Sequence, residues 1–253
     1  MINPFADIVE PAGHHPESGR AGWQRWKLLL LIPALALGLI VVLLPRHADA
    51  QVQIVDSGSD VPDYSVYYQA LEAREAGDHA TALRLFTEAA ENGVTIAQYN
   101  LGVMYFTGSD GVPQDYQQAY YWTRKAAEQG HINAMLNLGS LYYNQLGVNP
   151  SWLDFWPTTA LLRNSNFADA ASWYAKAAEY DHGEAQYRLA TMYQEGTGVS
   201  QDKVEALKWA LLARDNENDA AAELVEQLQA ELASAQAQQA QQAYARWVLE
   251  HRS

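Results

Sequence analysis

The chain has 253 residues, a formal net charge of −14, 49% hydrophobic residues and no cysteine. That apolar share excludes widespread disorder, and the missing cysteines exclude disulfides, thiol catalysis and thiolate metal sites together. The acidic balance disfavours nucleic acid and anionic lipid headgroups as partners, because like charges repel over most of the surface.

Residues 1–26 contain Pro4, Pro11, Gly13, Pro16, Gly19 and Gly22 and read as a flexible tail. Leu28 to Leu44 then gives 17 uncharged positions, LLLLIPALALGLIVVLL, which as a helix would span about 25 Å. Arg20, Arg25 and Lys27 precede this run and only Arg46 lies immediately beyond it. The bias puts the N-terminus in the cytoplasm and everything after residue 46 outside. Residues 27–46 therefore read as a transmembrane helix or the core of a signal peptide. Ala48-Asp49-Ala50 offers a processing site for the second reading, with cleavage following Ala50. The long leader with Asp7, Glu10 and Glu17 speaks for the first. Either reading places the rest of the chain on the side of the membrane away from the cytoplasm, as a single-pass or a soluble protein.

A polar linker covers 47–63, and helical periodicity begins near Tyr64. Residues 64–96 form one hairpin with its turn at Gly77-Asp78-His79. Ala70, Ala73, Ala82, Leu85 and Ala89 fall three or four apart, on shared helix faces. A longer pattern then returns three times. AQYNLGVMY, AMLNLGSLY and AQYRLATMY start at Ala97, Ala134 and Ala185. Each leads, after a loop, to an Ala-x-x-Trp segment: AYYWTRKAAEQG, AASWYAKAAEYD or ALKWALLARDNE. Units 97–133, 134–184 and 185–220 of this kind bury their apolar faces against one another, which predicts an all-α αα superhelix, a solenoid of hairpins. The repeated positions are Ala97, Leu101, Gly102, Tyr105, Gly111 and Trp122; Leu138, Gly139, Tyr142 and Trp173; and Leu189, Tyr193, Gly198 and Trp209. Glycine inside a helix costs about 1 kcal/mol relative to alanine, so close helix contact is the expected compensation at Gly102 and Gly139. Asp115 and Asp202 stand where they can cap the second helix of their units.

The middle unit departs from this pattern. Val148 to Ala170 spans 22 positions where the flanking units use seven, an insertion of 15 residues. It carries Trp152, Phe155 and Trp156 between Pro150 and Pro157. Insertions in repeat proteins usually emerge as loops, often near the binding face. The three aromatics are therefore candidate partner-binding residues, or they fold back over the adjacent hairpin. Residues 221–253 carry a Leu224, Leu228, Leu232 stripe and then Tyr244, Trp247 and Val248. This reads as a capping helix that closes the last repeat; the leucine pattern is too short for a coiled coil.

Nothing marks catalysis. The histidines form no His-Glu-x-x-His or other ligand spacing, and His79, His131 and His182, near hairpin turns, are expected to be surface side chains. No catalytic residue, cofactor site or metal site is assigned, and no small-molecule cofactor is expected.

The units resemble Sel-one-like repeats, relatives of tetratricopeptide repeats. The first full unit matches through Ala97, Leu101, Gly102, Tyr105, Gly108, Gly111, Val112, Asp115, Ala119, Trp122, Lys125, Ala126, Ala127, Glu128 and Gly130. The third matches through Ala185, Leu189, Tyr193, Gly196, Gly198, Val199, Asp202, Ala206 and Trp209, with Ala190 in place of the packing glycine. Residues 64–96 are closer to the generic tetratricopeptide hairpin. The resemblance implies a non-enzymatic scaffold or adaptor of the bacterial envelope that assembles or regulates a membrane-associated complex through its concave side. The acidic balance suits a protein partner with a Lys/Arg patch. Envelope polysaccharide or peptidoglycan binding is the alternative, and a structural role through the cytoplasmic tail is a third.

Overall fold

The computed structural model describes residues 63–109, 111–148 and 159–252, which form ten α-helices and no strand. In chain order these are α1 (Ser65–Glu75), α2 (His79–Glu91), α3 (Thr95–Thr107), α4 (Tyr116–Glu128) and α5 (Ile132–Tyr143). They continue as α6 (Thr159–Glu179), α7 (Gly183–Glu195), α8 (Lys203–Asp215), α9 (Asp219–Glu231) and α10 (Ser234–His251). Helices α1 to α8 each pack on the next, whereas α10 returns to α8. This is the all-α solenoid of two-helix units that the repeats predict. The apolar side chains form two contiguous clusters, one around Phe86 and Leu101 and one running from Tyr99 to Trp247.

Polar side chains set where the helices begin. Asp115 Oδ1 accepts the N–H groups of Gln117 and Gln118 at 2.9 and 3.0 Å, and Asp202 Oδ1 those of Val204 and Glu205 at 2.9 and 3.1 Å. Asp78 does the same for Thr81 at 3.1 Å. Each such cap contributes about 1 kcal/mol by satisfying donors that the first turn leaves open. The first helices of the later repeats use a different cap. His131 Nδ1 accepts from Ala134 N–H at 3.2 Å and His182 Nδ1 from Ala185 N–H at 3.4 Å. Asn218 Oδ1 fills the same register for Ala221 at 3.2 Å. His131 and His182 are thus not the surface side chains expected from their place near turns. Both are half-buried, and His131 stacks on Tyr99 with ring centroids 4.3 Å apart. His79 is exposed.

The turns between repeats place one residue in the left-handed region. Gly93 and Gly130 take it without strain, but Asp181 (φ 62°) and Glu217 (φ 60°) occupy the same place in the later turns. Backbone also approaches backbone at the seams. A Cβ on Gly147 would stand 1.9 Å from the Tyr116 carbonyl oxygen, and one on Gly198 would stand 2.2 Å from that of Phe167. Both are contacts between a loop and the preceding unit's second helix, at the first residue of α4 and at the ninth of α6. Within the units, a Cβ on Gly102 would meet Thr123 Oγ1 at 2.3 Å, and one on Gly139 the Tyr174 ring at 2.6 Å.

Two expectations change. The insertion is not wholly loop: α6 begins at Thr159, eleven residues before Ala170, whereas α4 and α8 begin three residues before Ala119 and Ala206. Part of the added sequence is therefore extra helix, making α6 21 residues long against 13 for α4 and α8. The C-terminal segment is two helices rather than one, with Leu232 and Ala233 extended between them. The second helix docks Trp247 against Trp209, ring centroids 6.3 Å apart. Its end is tied down where Arg252 Nε and Nη2 donate to the Asp181 carboxylate, both at 2.7 Å. Among the described residues no helix is long and apolar enough to cross a membrane. The tail, the Leu28–Leu44 run and Trp152, Phe155 and Trp156 lie outside the described residues.

Gly147→Ala should lower unfolding stability by about 3 kcal/mol, since it combines left-handed strain with overlap on fixed backbone. Gly93→Ala, which meets open space, should cost only about 1 kcal/mol of left-handed strain; urea unfolding of both variants compares them.

Burial of His131 and His182 pushes both pKa values below the usual 6.5, so between the two values the unfolded chain binds more protons. Their contribution to stability is fully present above about pH 6.5 and is lost as pH falls through the lower, folded value. The His131→Asn, His182→Asn double variant keeps an Asn218-type cap. Its stability should therefore fall less than that of the parent between pH 7 and pH 5, as read by thermal unfolding across that range.

Candidate protein-binding groove

The first helices of two of the units, α3 and α7, are locked in place by buried glutamines. Gln98 Nε2 donates to the Ala90 carbonyl at 3.0 Å, and its Oε1 accepts from Gln129 Nε2 at 2.9 Å. Gln186 repeats the arrangement, donating to the Ala178 carbonyl at 3.2 Å and accepting from Asn216 Nδ2 at 2.8 Å. Each side chain joins the end of the preceding helix to the C-cap of the following one. A buried carboxamide satisfied at both ends fixes orientation as well as distance. Met135 holds this register in the middle unit.

Between α5 and α7 the helices leave a groove of about 160 Å³ lined by Ser140, Tyr143, Asn144, Tyr174, Arg188, Thr191 and Met192. Tyr174 comes from α6 and forms the floor, its ring lying over Gly139, where any side chain would collide with it. Its hydroxyl is 3.1 Å from Ser140 Oγ. Burial pushes the Tyr174 pKa up to about 12, so the phenol stays protonated and able to donate. At the rim, Arg188 Nε donates to Glu184 Oε1 at 2.5 Å, and Asn218 Nδ2 holds the other oxygen of that carboxylate at 2.7 Å. Tyr143, more than one-third exposed, packs on Phe167 with ring centroids 5.2 Å apart.

Register for register, this is where the units differ. Val103, Ser140 and Thr191 are equivalent, as are Thr123, Tyr174 and Ala210, and as are Asn100, Asn137 and Arg188. Only the middle pair Ser140–Tyr174 gives two hydroxyls facing each other. In the preceding seam Tyr99 brings its hydroxyl toward the side chains of Asn133 and Asn137, whereas Leu136, at the same register, has no hydroxyl.

The repeat positions picked out from sequence fall elsewhere. Ala97, Leu101, Trp122, Leu138, Leu189 and Trp209 are buried in the apolar clusters, and Tyr105, Tyr142, Tyr193 and Trp173 are partly buried beside them. Gly111 and Gly198 lie in left-handed loops. Among the described residues no group of histidine, aspartate and glutamate side chains could hold a metal ion. Sequence reasoning missed Ser140, Tyr143, Tyr174 and Arg188. The available signal was their departure from the repeat at aligned positions.

A family model described as Sel1 repeat matches residues 67–94, 95–131, 132–151, 162–182 and 183–218, more than half of the chain. The chain is 26% identical over 129 residues to the ERAD-associated E3 ubiquitin-protein ligase component HRD3B of Arabidopsis thaliana, covering 51% of this chain and 18% of that protein. It is 30% identical over 141 residues to the chitin synthase regulator SKT5 of Saccharomyces cerevisiae, covering 56% and 18%. It is 27% identical over 161 residues to an exopolysaccharide production negative regulator of Rhizobium leguminosarum, covering 60% and 56%. The match thus spans under a fifth of the first two relatives and just over half of the third.

Proposed function

The chain belongs to the Sel1 repeat family, a family of protein-interaction scaffolds, and we propose that it is a non-enzymatic adaptor that regulates a polysaccharide-producing assembly at a bacterial inner membrane. The observation that carries this reading is the groove between α5 and α7. It is open, side-chain sized, and built from the residues at which the units depart from one another. A segment of a partner protein enters there. Packing alone has no need of such variation, since Leu101, Leu138 and Leu189 meet the demand of the shared core alike in the three units.

Two relatives are named as regulators of polysaccharide production, one for chitin and one for exopolysaccharide. Those names support a protein of the synthesis machinery as partner over direct recognition of the glycan. The net charge of −14 resides in residues 51–253, since the first fifty carry four basic and four acidic side chains. It supports a partner surface containing Lys or Arg. The Leu28–Leu44 run and the basic residues before it support a membrane anchor with the repeats on the periplasmic side.

Photo-crosslinking in cells tests the groove. A photoreactive phenylalanine in place of Tyr143 should give a discrete protein adduct, and the same group in place of the exposed Tyr121 of α4 should not. Equal adducts at both positions, or none at Tyr143, would overturn the reading. Location is tested separately. Because the chain has no cysteine, Gln239→Cys provides one exposed thiol. A membrane-impermeant maleimide should label it in intact spheroplasts, and labelling only after lysis would place the repeats in the cytoplasm.

A further inference from the structure

We infer that the hydroxyls of Ser140 and Tyr174 are the specificity floor of the α5–α7 groove, and that the partner inserts there a side chain ending in a neutral carbonyl, a glutamine or asparagine carboxamide. The inference rests on the groove being a protein-binding site and adds what that site selects.

It begins from a count of protons. Two hydroxyls carry two donor hydrogens, and these two share a single bond at 3.1 Å. Among the described residues one of the two hydrogens has no acceptor. A serine or threonine inside a helix ordinarily returns its hydroxyl to a carbonyl one turn back. Thr87 does so to Leu83, Thr107 to Val103 and Thr191 to Arg188, at 2.8, 2.9 and 2.7 Å. Ser140 instead turns to Tyr174. Both residues are more than nine-tenths buried, and a buried donor left unspent is costly. An acceptor arriving through the groove removes that cost.

Charge and size then select the acceptor. The rim holds the Arg188–Glu184 pair at 2.5 Å, and the Glu195 carboxylate bears on Tyr143. Among the described residues, two carboxylates stand beside one guanidinium, which disfavours an incoming aspartate or glutamate. A lysine or arginine offers no acceptor for the spare hydrogen and would shed its water against Tyr143 and Met192. An aliphatic side chain fills the space and leaves the donor unspent. A carboxamide supplies the carbonyl, and its NH2 meets the free lone pairs of the same hydroxyls. The volume of about 160 Å³ accommodates one such side chain. The aligned pairs Val103–Thr123 and Thr191–Ala210 lack two facing hydroxyls, so the preference belongs to this groove alone among the three aligned units.

The test starts from the partner segment crosslinked at Tyr143, mapped by mass spectrometry and made as a synthetic peptide. Its affinity is measured for the full chain and for Tyr174→Phe, which keeps the ring over Gly139. The segment should contain a glutamine or asparagine whose change to leucine weakens binding to the parent about tenfold, the scale of one buried hydrogen bond. Tyr174→Phe should lose a similar factor for the original peptide, and the leucine peptide should lose little more against it. Ser140→Ala, the second variant, should also weaken the original peptide more than the leucine peptide; thermal unfolding establishes that each variant is folded. A segment without a carboxamide, or affinities that ignore Tyr174 and Ser140, would overturn the inference while leaving the groove a binding site; water alone or residues 149–158 on the hydroxyls would give that second result. No adduct at Tyr143 overturns the groove reading and this inference together.

Discussion

The array depends on backbone meeting backbone at its seams. Gly147 lies over the Tyr116 carbonyl and Gly198 over that of Phe167, at separations where no side chain fits. Dispersion falls off steeply with distance, so such contacts define spacing to a fraction of an ångström. The fully buried alanines, among them Ala97, Ala126, Ala177 and Ala206, extend the same close approach along the helices. Contacts of this kind fix separation but not twist. The paired bonds of Gln98 and Gln186 add the missing direction, because each carboxamide holds two neighbouring elements at defined angles. Stability then accumulates unit by unit, as nearest-neighbour terms.

That division explains what was legible in the sequence. Helix periodicity and the Ala, Leu, Gly, Tyr spacing are local, with partners three or four residues apart, and repetition amplifies them. The groove is not local. Ser140 and Tyr174 are 34 positions apart, and the glutamines bond C-cap residues 30 or 31 positions away. No spacing rule within one helix reports such pairs; only alignment of the units against one another does. The histidine caps were missed for another reason. A histidine near a turn looks like a solvated side chain, and only its shared register with Asn218 points to an acceptor role. The early start of α6 was obscured by Pro157, which reads as a loop residue although α6 begins two residues later.

Repeats make function visible by subtraction. Where the units agree, as at Leu101, Leu138 and Leu189, the side chain serves the shared core. Where three equivalent positions hold valine, serine and threonine, the core does not dictate the choice. The departures concentrate on the α5–α7 seam: the polar floor, the Arg188–Glu184 pair and the leucine at the register of Tyr99. The C-terminal helix departs differently. It folds back to α8, and the polar groups of Tyr244, Trp247 and Arg252 are held by Asp215, Glu179 and Asp181.

The acidic balance and the hydroxyl floor act at different ranges, and the two demands combine. At physiological ionic strength a charge is felt over about 8 Å, so the acidic surface governs approach more than final discrimination. Inside the groove the charges are already paired or opposed, and uncharged donors remain to discriminate. A basic surface with a charged tip would arrive quickly and then lose solvation at the floor. A neutral tip on a weakly charged surface would fit and arrive slowly. The chemistry that meets both is a short uncharged segment flanked by lysine or arginine, entering between Tyr143 and Thr191 while its flanks stay over the acidic rim.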